Sequence, residues 1–91
     1  MGNASGLKAW RVLANAERAL AIELLAGAQA VEFLAPLEPG AGVRALHDVV
    51  RRHSPRLRDD RPLARDIELV AAAIRDGSIL AAVEAQVGEL L

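Results

Sequence analysis

Cysteine and tyrosine are absent from this 91-residue chain, and Trp10 and Phe33 are its only aromatic residues. Without cysteine the chain cannot form disulfides, thiolate nucleophiles or cysteine-based zinc sites. The same absence fits a reducing compartment, and we therefore expect a cytoplasmic protein. The scarcity of aromatic side chains argues against a sheet protein, because strands are enriched in aromatic and β-branched residues.

A strong charge of either sign is also lacking, since the formal net charge is −1 at pH 7. No overall field therefore attracts nucleic acid or an anionic membrane surface. The longest apolar run, residues 19–35, contains Glu23, Gln29 and Glu32, which argues against a membrane span. Polar residues interrupt the first dozen positions, so we predict no signal peptide. We expect neither nucleic acid nor a membrane as a partner.

What the chain does contain is mostly alanine and leucine, within a total of 53% hydrophobic residues. This composition is typical of helices. The spacing of the apolar residues predicts an all-α fold in which residues 1–91 form a single helical segment. One long helix is expected from about residue 6 to 34, with Ser5 as its N-cap, followed by two or three shorter helices.

The shorter helices are predicted from apolar residues at helical spacing and from the turn residues between them. A loop containing Pro36 and Gly40 separates the first of them from the long helix. Gly77 suits a left-handed position between the last two, and Ser78 is a candidate cap of the last one. The predicted spans are about 43–53, from between Pro62 and Asp66 to Asp76, and from Ser78 to Leu91.

The long helix changes character along its length. Its first half is amphipathic, whereas in its second half apolar side chains point almost all round the axis. A helix that is apolar all round is typical of the interior of a large structure. Three short helices cannot surround it. We therefore expect the surface from Leu20 to Leu34 to pack against further sequence or against other copies of the chain.

Few residues are candidates for chemistry. His47 is either a phosphorelay histidine or, far more commonly, a packing residue at the edge of an apolar face. His47 and His53 do not share a helix face, so they cannot form a metal site together. Glu23 lies among apolar residues, where it could be a buried carboxylate with a raised pKa or, more simply, a structural acid paired to an arginine.

The most basic stretch, residues 51–58, could be a nucleic-acid patch or a solvated connector. It lacks interleaved aromatic residues, and Asp59, Asp60 and Asp66 follow directly. A connector that forms ion pairs is therefore favoured over a patch. We assign no catalytic, cofactor-binding or metal-binding residue to this chain.

Three sequence landmarks follow each other along the chain. The first is Leu-Ala-Ile-Glu-Leu-Leu at residues 20–25, followed by small residues and Gln29-Ala30. The second is the stretch 55–67, which contains Asp-Arg and then Asp-Ile. The third is Ile-Arg-Asp-Gly-Ser-Ile-Leu-Ala-Ala-Val at residues 74–83. In this order and at this spacing the three landmarks, which cover nearly the whole chain, resemble the C-terminal region of histidine ammonia-lyases.

The resemblance implies a piece of a much longer, mainly helical and homotetrameric enzyme. Such enzymes eliminate ammonia from histidine to give urocanate, although related family members use tyrosine or phenylalanine. Their electrophile is a methylidene-imidazolone group formed from an Ala-Ser-Gly tripeptide. That tripeptide, the base and the substrate-binding residues lie upstream of the matched region, and Met1-Gly2 aligns just after the last of them.

The chain has its own Ala4-Ser5-Gly6. This tripeptide lies far past the family's cyclising position, so we interpret it as ordinary sequence at a helix start. The expected function is therefore a C-terminal helical fragment of a histidine ammonia-lyase-like enzyme, inert when alone. The alternative is a non-enzymatic helical module that assembles with itself, or with a full-length lyase, through the Leu20–Leu34 surface.

Overall fold

A computed structural model describes residues 2–56 and 61–90, and within these ranges the chain forms helices and no strands. The all-α prediction is confirmed. The four helices are α1 (Gly2–Phe33), α2 (Ala41–His53), α3 (Ala64–Arg75) and α4 (Ser78–Val87). Residues 57–60, which include the end of the predicted connector and the two aspartates after it, lie outside the described ranges.

The long helix α1 begins earlier than predicted. Ser5 lies inside the helix and is not its N-cap, because the small residues from Gly2 to Gly6 include no proline and accommodate helical backbone. The helix ends at Phe33, one residue before the predicted Leu34. Pro36 explains this end, since proline disfavours helical backbone in the residue before it and has no N–H to donate.

The boundaries of α2 follow local backbone chemistry. The helix starts at Ala41, two residues before the predicted Val43, directly after the extended Gly40. It ends at His53 as predicted, and Ser54 is extended with φ −141°. This conformation is expected for a residue that precedes a proline.

Of the two predictions for the turn between α3 and α4, the one for Gly77 is confirmed and the one for Ser78 is wrong. Gly77 is left-handed, with φ 81°, as predicted. Ser78, however, is the first residue of α4 and does not cap it. The Asp76 Oδ1 atom accepts the Ser78 N–H at 2.8 Å, while the Ser78 hydroxyl donates to the Ala73 carbonyl at 3.3 Å. The capping carboxylate therefore comes from the residue before the glycine.

The last helix, α4, is shorter than predicted. It ends at Val87 and does not continue to Leu91. Gly88 has φ 90°, a conformation outside the helical region that glycine adopts without a steric penalty. The apolar repeat of the sequence continues past this point, but the backbone leaves the helix.

The helices form two packed pairs. α1 packs mainly on α3 and α2 mainly on α4, whereas α1 and α4 do not touch within the described residues. The core between them consists of small and medium side chains rather than large ones. Its buried members are Ala21, Val49, Val70, Ala71, Ala73 and Ile79.

The molecule is a thin slab of about 55 × 36 × 16 Å. Its radius of gyration is 15.1 Å, compared with about 12 Å expected for a compact domain of this length. Its accessible surface is 6755 Å², compared with about 5,100 Å² for a compact monomer of this mass. Folding of this chain alone therefore leaves much apolar surface in contact with water.

One continuous stripe runs along α1 at the heptad spacing by which helices pack on each other. Its members are Leu7, Trp10, Ala14, Glu17, Ala21, Leu24, Ala28 and Val31. From Glu17 to Val31 these side chains are buried or half-buried against the other helices, and Ala21 is fully buried. We call residues 2–16 of α1 the arm. In the arm Leu7 and Trp10 are 56% and 65% exposed.

The second half of α1 also exposes apolar side chains on sides of the helix that lie off the stripe. Leu20, Ile22 and Phe33 are 49%, 52% and 76% exposed, and Leu34 just beyond the helix is 59% exposed. The expectation that the chain's own short helices cannot surround this segment is confirmed for the described part of the structure.

Candidate functional site

The most connected polar cluster of the described residues is centred on Glu32, in the last turn of α1. The Arg51 guanidinium donates from Nε to Glu32 Oε2 at 2.8 Å and from Nη2 to Oε1 at 2.9 Å. His47 Nε2 lies 2.7 Å from Glu32 Oε2, and Arg56 Nε lies 3.8 Å from Oε1. The cluster joins the end of α1 to α2 and to the residues that follow α2.

This environment lowers the pKa of Glu32 to about 2. The main cause is the hydrogen bonding from Arg51, which outweighs burial; the bond from His47 lowers the pKa further. Glu32 is therefore ionised at neutral pH. A carboxylate of this pKa cannot exchange protons efficiently near pH 7, so the cluster is suited to holding helices together and not to acid–base catalysis.

The two histidines have separate structural contacts. His47 is half-buried at the edge of an apolar face, as the packing interpretation predicts, but its ring also bonds Glu32 and lies 3.7 Å from Asp48. The Nδ1 atom of His53 donates to the Val49 carbonyl at 2.9 Å. Among the residues that the structure describes, no group of three His, Cys, Asp or Glu side chains could hold a metal ion.

A second polar cluster joins the two ends of the connector. The Ser54 hydroxyl donates to the buried Asp66 carboxylate, to which Arg61 Nη2 also donates, at 2.6 Å. Arg61 Nη2 further lies 2.7 Å from the Pro55 carbonyl. Arg61 first and Ser54 second hold the pKa of Asp66 below its ordinary value. The prediction that the basic stretch 51–58 forms ion pairs is confirmed for Arg51 and Arg56, which both pair with Glu32. Arg61, just after this stretch, pairs with Asp66, whereas Asp59 and Asp60 lie outside the described residues.

Sequence reasoning missed this second cluster and misjudged Glu23. Glu23 is exposed and not a buried carboxylate; it lies at the rim of a groove between α1 and α2, beside Leu24 and Ala28 of the stripe. The buried acid of α1 is Glu17, whose two carboxylate oxygens share the single Nε–H of Arg75, at 3.1 and 3.2 Å from Nε. A heptad count along α1 could have identified Glu17, since it occupies a stripe position.

A groove of about 400 Å³ lies beside the Glu32 cluster, between α1 and the start of α3. Its walls are mainly apolar and include Ile22, Phe33 and Ile67. Its polar lining includes Arg51 and Ser54, which are already hydrogen-bonded within the protein. The groove therefore offers apolar contact surface, and the polar clusters around it fix its shape.

The tripeptide Ala4-Ser5-Gly6 lies in the arm, where all three residues are helical and exposed. No helix in the described ranges is long and apolar enough to cross a membrane.

Comparisons with known proteins extend these observations. A family model described as aromatic amino acid lyase matches residues 1–52. The chain is 48% identical over 90 residues to a histidine ammonia-lyase of Sorangium cellulosum, 41% identical to one of Natranaerobius thermophilus and 44% identical to one of Symbiobacterium thermophilum. Each alignment covers 99% of this chain but 18% of the relative. The chain therefore spans less than a fifth of the length of these relatives. No solved structure matches it significantly.

Proposed function

Because the chain belongs to the aromatic amino acid lyase family, we propose that it is a helical part of a histidine ammonia-lyase-like enzyme. In such an enzyme ammonia is eliminated from L-histidine to give urocanate. The observation that carries this proposal is the identity of 41–48% to histidine ammonia-lyases over 99% of the chain. Its placement in the C-terminal region rests on the three sequence landmarks alone.

We assign this part a packing role and no reacting group. Glu32 and Asp66, the two carboxylates at the centres of the polar clusters, are held ionised by arginine partners. The exposed helical Ala4-Ser5-Gly6 does not fit the family's prosthetic group, because nothing around it constrains its backbone for cyclisation. The electrophile of the enzyme would come from another Ala-Ser-Gly, outside this chain.

The purified chain should therefore be inert towards histidine. Incubation with L-histidine, followed by the ultraviolet absorbance of urocanate, measures this directly. A full-length histidine ammonia-lyase under the same conditions is the positive control. Urocanate formed above the level of a protein-free blank would contradict the proposed packing role.

The packing role includes assembly through the Leu20–Leu34 surface, with further lyase sequence or with another copy of the chain. Leu20, Ile22, Phe33 and Leu34 are all about half exposed or more. Burying apolar surface stabilises association by about 25 cal/mol per Å², and contiguous exposed apolar patches are typical of interaction sites. Neither nucleic acid nor a membrane is proposed as a partner, and we propose the cytoplasm as the location.

Light scattering at micromolar concentration tests self-association through this surface. We expect the double variant Ile22→Ser, Phe33→Ser to associate less than the natural chain. Ala30→Ser, at an exposed position of the same helix, is the matched control and should leave association unchanged. A natural chain that stays monomeric across the concentration range would contradict self-association through Leu20–Leu34.

The second candidate is a non-enzymatic helical module that assembles with itself or with a full-length lyase. The same exposed apolar face favours it. The genomic sequence in front of the Met1 codon separates the two candidates. An open frame that continues upstream into lyase sequence supports the enzyme fragment, whereas a separate ribosome-binding site supports the module.

A further inference from the structure

The turn between α3 and α4 contains Asp76-Gly77, the only place in the chain where an aspartate or asparagine directly precedes a glycine. In such a pair the backbone nitrogen of the glycine can attack the side-chain carboxyl carbon of the aspartate, because glycine has no side chain to hinder the approach. The product is a five-membered succinimide ring. The sequence of this turn therefore makes it a candidate site of spontaneous covalent change.

The fold itself requires the reactive pair. Gly77 has φ 81°, a conformation that residues with a side chain seldom adopt. A larger residue at this position would hinder ring closure, but it would also strain the turn. Asp76 is needed as well, since its Oδ1 atom accepts the Ser78 N–H at 2.8 Å and so caps α4. The two residues that connect α3 to α4 are thus the two that can react.

The folded backbone opposes ring closure. Closure requires the Asp76 Cβ atom and the Gly77 nitrogen to be eclipsed about the Cα–C bond of Asp76. The observed ψ of −3° instead eclipses the nitrogen of Asp76 with that of Gly77, which turns Cβ away. The Gly77 N–H also donates to the Ile74 carbonyl at 3.3 Å. Attack on the carboxyl carbon therefore requires the turn to open.

The state of the carboxyl group acts in the same direction. Hydrogen bonding to Ser78 lowers the pKa of Asp76. The group is therefore ionised at neutral pH, and an ionised carboxylate is a poorer electrophile than a carboxylic acid. When the turn opens, the Ser78 contact is lost together with the unfavourable backbone geometry.

We propose that Asp76-Gly77 is a latent site of aspartate isomerisation, closed while α4 is docked and reactive when the turn opens. In the first step the Gly77 nitrogen bonds to the Asp76 Cγ atom, and the carboxyl hydroxyl leaves with the amide proton as water. Water then hydrolyses the ring. Cleavage at one carbonyl restores aspartate, and cleavage at the other gives isoaspartate, with no reactant other than water.

Isoaspartate changes the connection between the helices. Its main chain runs through the former side chain and is one carbon longer, and its free carboxylate is attached at Cα, where it no longer occupies the capping position. Ile79, two residues after Gly77, is 7% exposed and belongs to the core, and α4 packs mainly on α2. We expect the longer connection to pull Ile79 out of register and to detach α4 from α2. This site does not depend on the lyase assignment or on any partner.

The isomerisation is measured by incubating the chain at physiological temperature and neutral pH, in buffer and in unfolding urea. Peptide mapping with electron-transfer fragmentation locates isoaspartate, and methyl transfer by a protein isoaspartate methyltransferase counts it. We expect residue 76 to isomerise about tenfold or more slowly in buffer than in urea, because the folded turn must first open. Asp76→Glu, which would need a six-membered ring, should give only background. Equal rates in buffer and urea would overturn the proposal, and so would the absence of isoaspartate in urea.

A matched pair of variants tests whether docking of α4 controls the rate. Ile79→Ala removes the buried anchor of α4 and leaves Asp76-Gly77-Ser78 unchanged, so it should accelerate isomerisation in buffer about tenfold. Leu80→Ala, at a position that is 37% exposed, should stay within about twofold of the natural chain. In urea all three proteins should react at the same rate. Equal rates for the two variants in buffer would contradict control by docking.

Hydrogen exchange of the isomerised chain tests the consequence. After separation of the isoaspartate form by reversed-phase chromatography and refolding, amides of α4 should lose protection, whereas those of residues 17–31 in α1 should keep it. The unmodified chain taken through the same separation is the control. Undiminished protection of α4 in the isoaspartate form would exclude its detachment.

Discussion

The two halves of α1 share one stripe and differ in what lies against it. Between Glu17 and Val31 the stripe packs on the chain's other helices, and Ala21 is completely buried. In the arm the same register places Leu7 and Trp10 in water. The difference shows that an apolar pattern specifies which face of a helix is to be covered. It does not specify whether the same chain supplies the cover.

The polar contacts differ between the halves in the same way. Glu17, Arg18 and Glu32 each bond a residue of another helix. The basic residues of the arm are exposed. The covered half is therefore fixed by both packing and ion pairs, whereas the arm is held in place by continuity of the helix. An isolated helix of about four turns, the length of the arm, is marginally stable in water.

Amide hydrogen exchange should show the largest difference between the two halves of α1. At a concentration too low for association, we expect amides between residues 17 and 31 to be protected about 100-fold or more over those of the arm, because the covered half opens only with wider unfolding. Mass spectrometry of peptic fragments or NMR measures this. Equal protection of both halves in the monomer would contradict the prediction that the arm opens more readily than residues 17–31.

Glu32→Gln should destabilise the covered half most among single substitutions. The lowered pKa of about 2, against an ordinary 4.5, corresponds to about 3 kcal/mol at most. Because the folded-state pKa is depressed, this contribution is complete above pH 4.5 and is lost as the pH falls towards 2. Urea unfolding of both proteins from pH 7 to pH 2 tests this. The two stability curves should converge at low pH.

The outcome that would contradict this prediction is a constant stability difference over the whole pH range. Glu23→Gln is the control, since Glu23 is an exposed carboxylate of the same helix. It should change the free energy of unfolding by no more than about 0.5 kcal/mol.

Two alanines of the stripe test by substitution how tightly each half of α1 is packed. Ala21 and Ala14 occupy the same heptad position, but only Ala21 is fully buried. Ala21→Leu should cost about 1–3 kcal/mol through overpacking. Ala14→Leu should change the stability of the monomer by no more than about 0.5 kcal/mol. Urea unfolding of the dilute protein provides both values, and equal costs would show that the arm is covered in the monomer.

The smallest effect is expected at the ion pair between Arg18 and Glu68, whose atoms Nε and Oε1 are 2.7 Å apart. Their side chains are 48% and 56% exposed, so solvent screens the pair. Glu68→Gln should cost about 0.5 kcal/mol or less. A double-mutant cycle with Arg18→Gln measures the coupling free energy of the pair. A value well above about 1 kcal/mol would contradict the prediction, because it would mean that water screens this ion pair less than the exposed fractions of its side chains imply.

The predicted elements were most accurate where local chemistry decides them. The end of α2 before Ser54-Pro55 and the left-handed Gly77 agree with the structure. The end of α3 at Arg75, one residue before the predicted Asp76, agrees closely as well. Each depends on backbone restrictions or on periodicity within a few residues, and both can be read from the sequence.

The polar clusters were not predictable in the same way. Glu32 meets Arg51 across 19 positions, and Glu17 meets Arg75 across 58. Which carboxylate each arginine reaches depends on how the helices cross. The Ser5 cap failed for a related reason: a capping residue is recognised only where a helix actually begins, and α1 begins earlier.

The sequence by itself determined that the chain is helical and where most helices end. These properties depend on propensity, turn chemistry and spacing along the chain. The tertiary structure alone decided which stripe of α1 packs on the other helices, with Ala14 half-buried and Leu7 and Trp10 exposed, and that Glu32 and Asp66 gather arginine partners. The reason is that burial and ion pairing arise between segments distant in sequence, whose meeting depends on the lengths and crossings of all four helices.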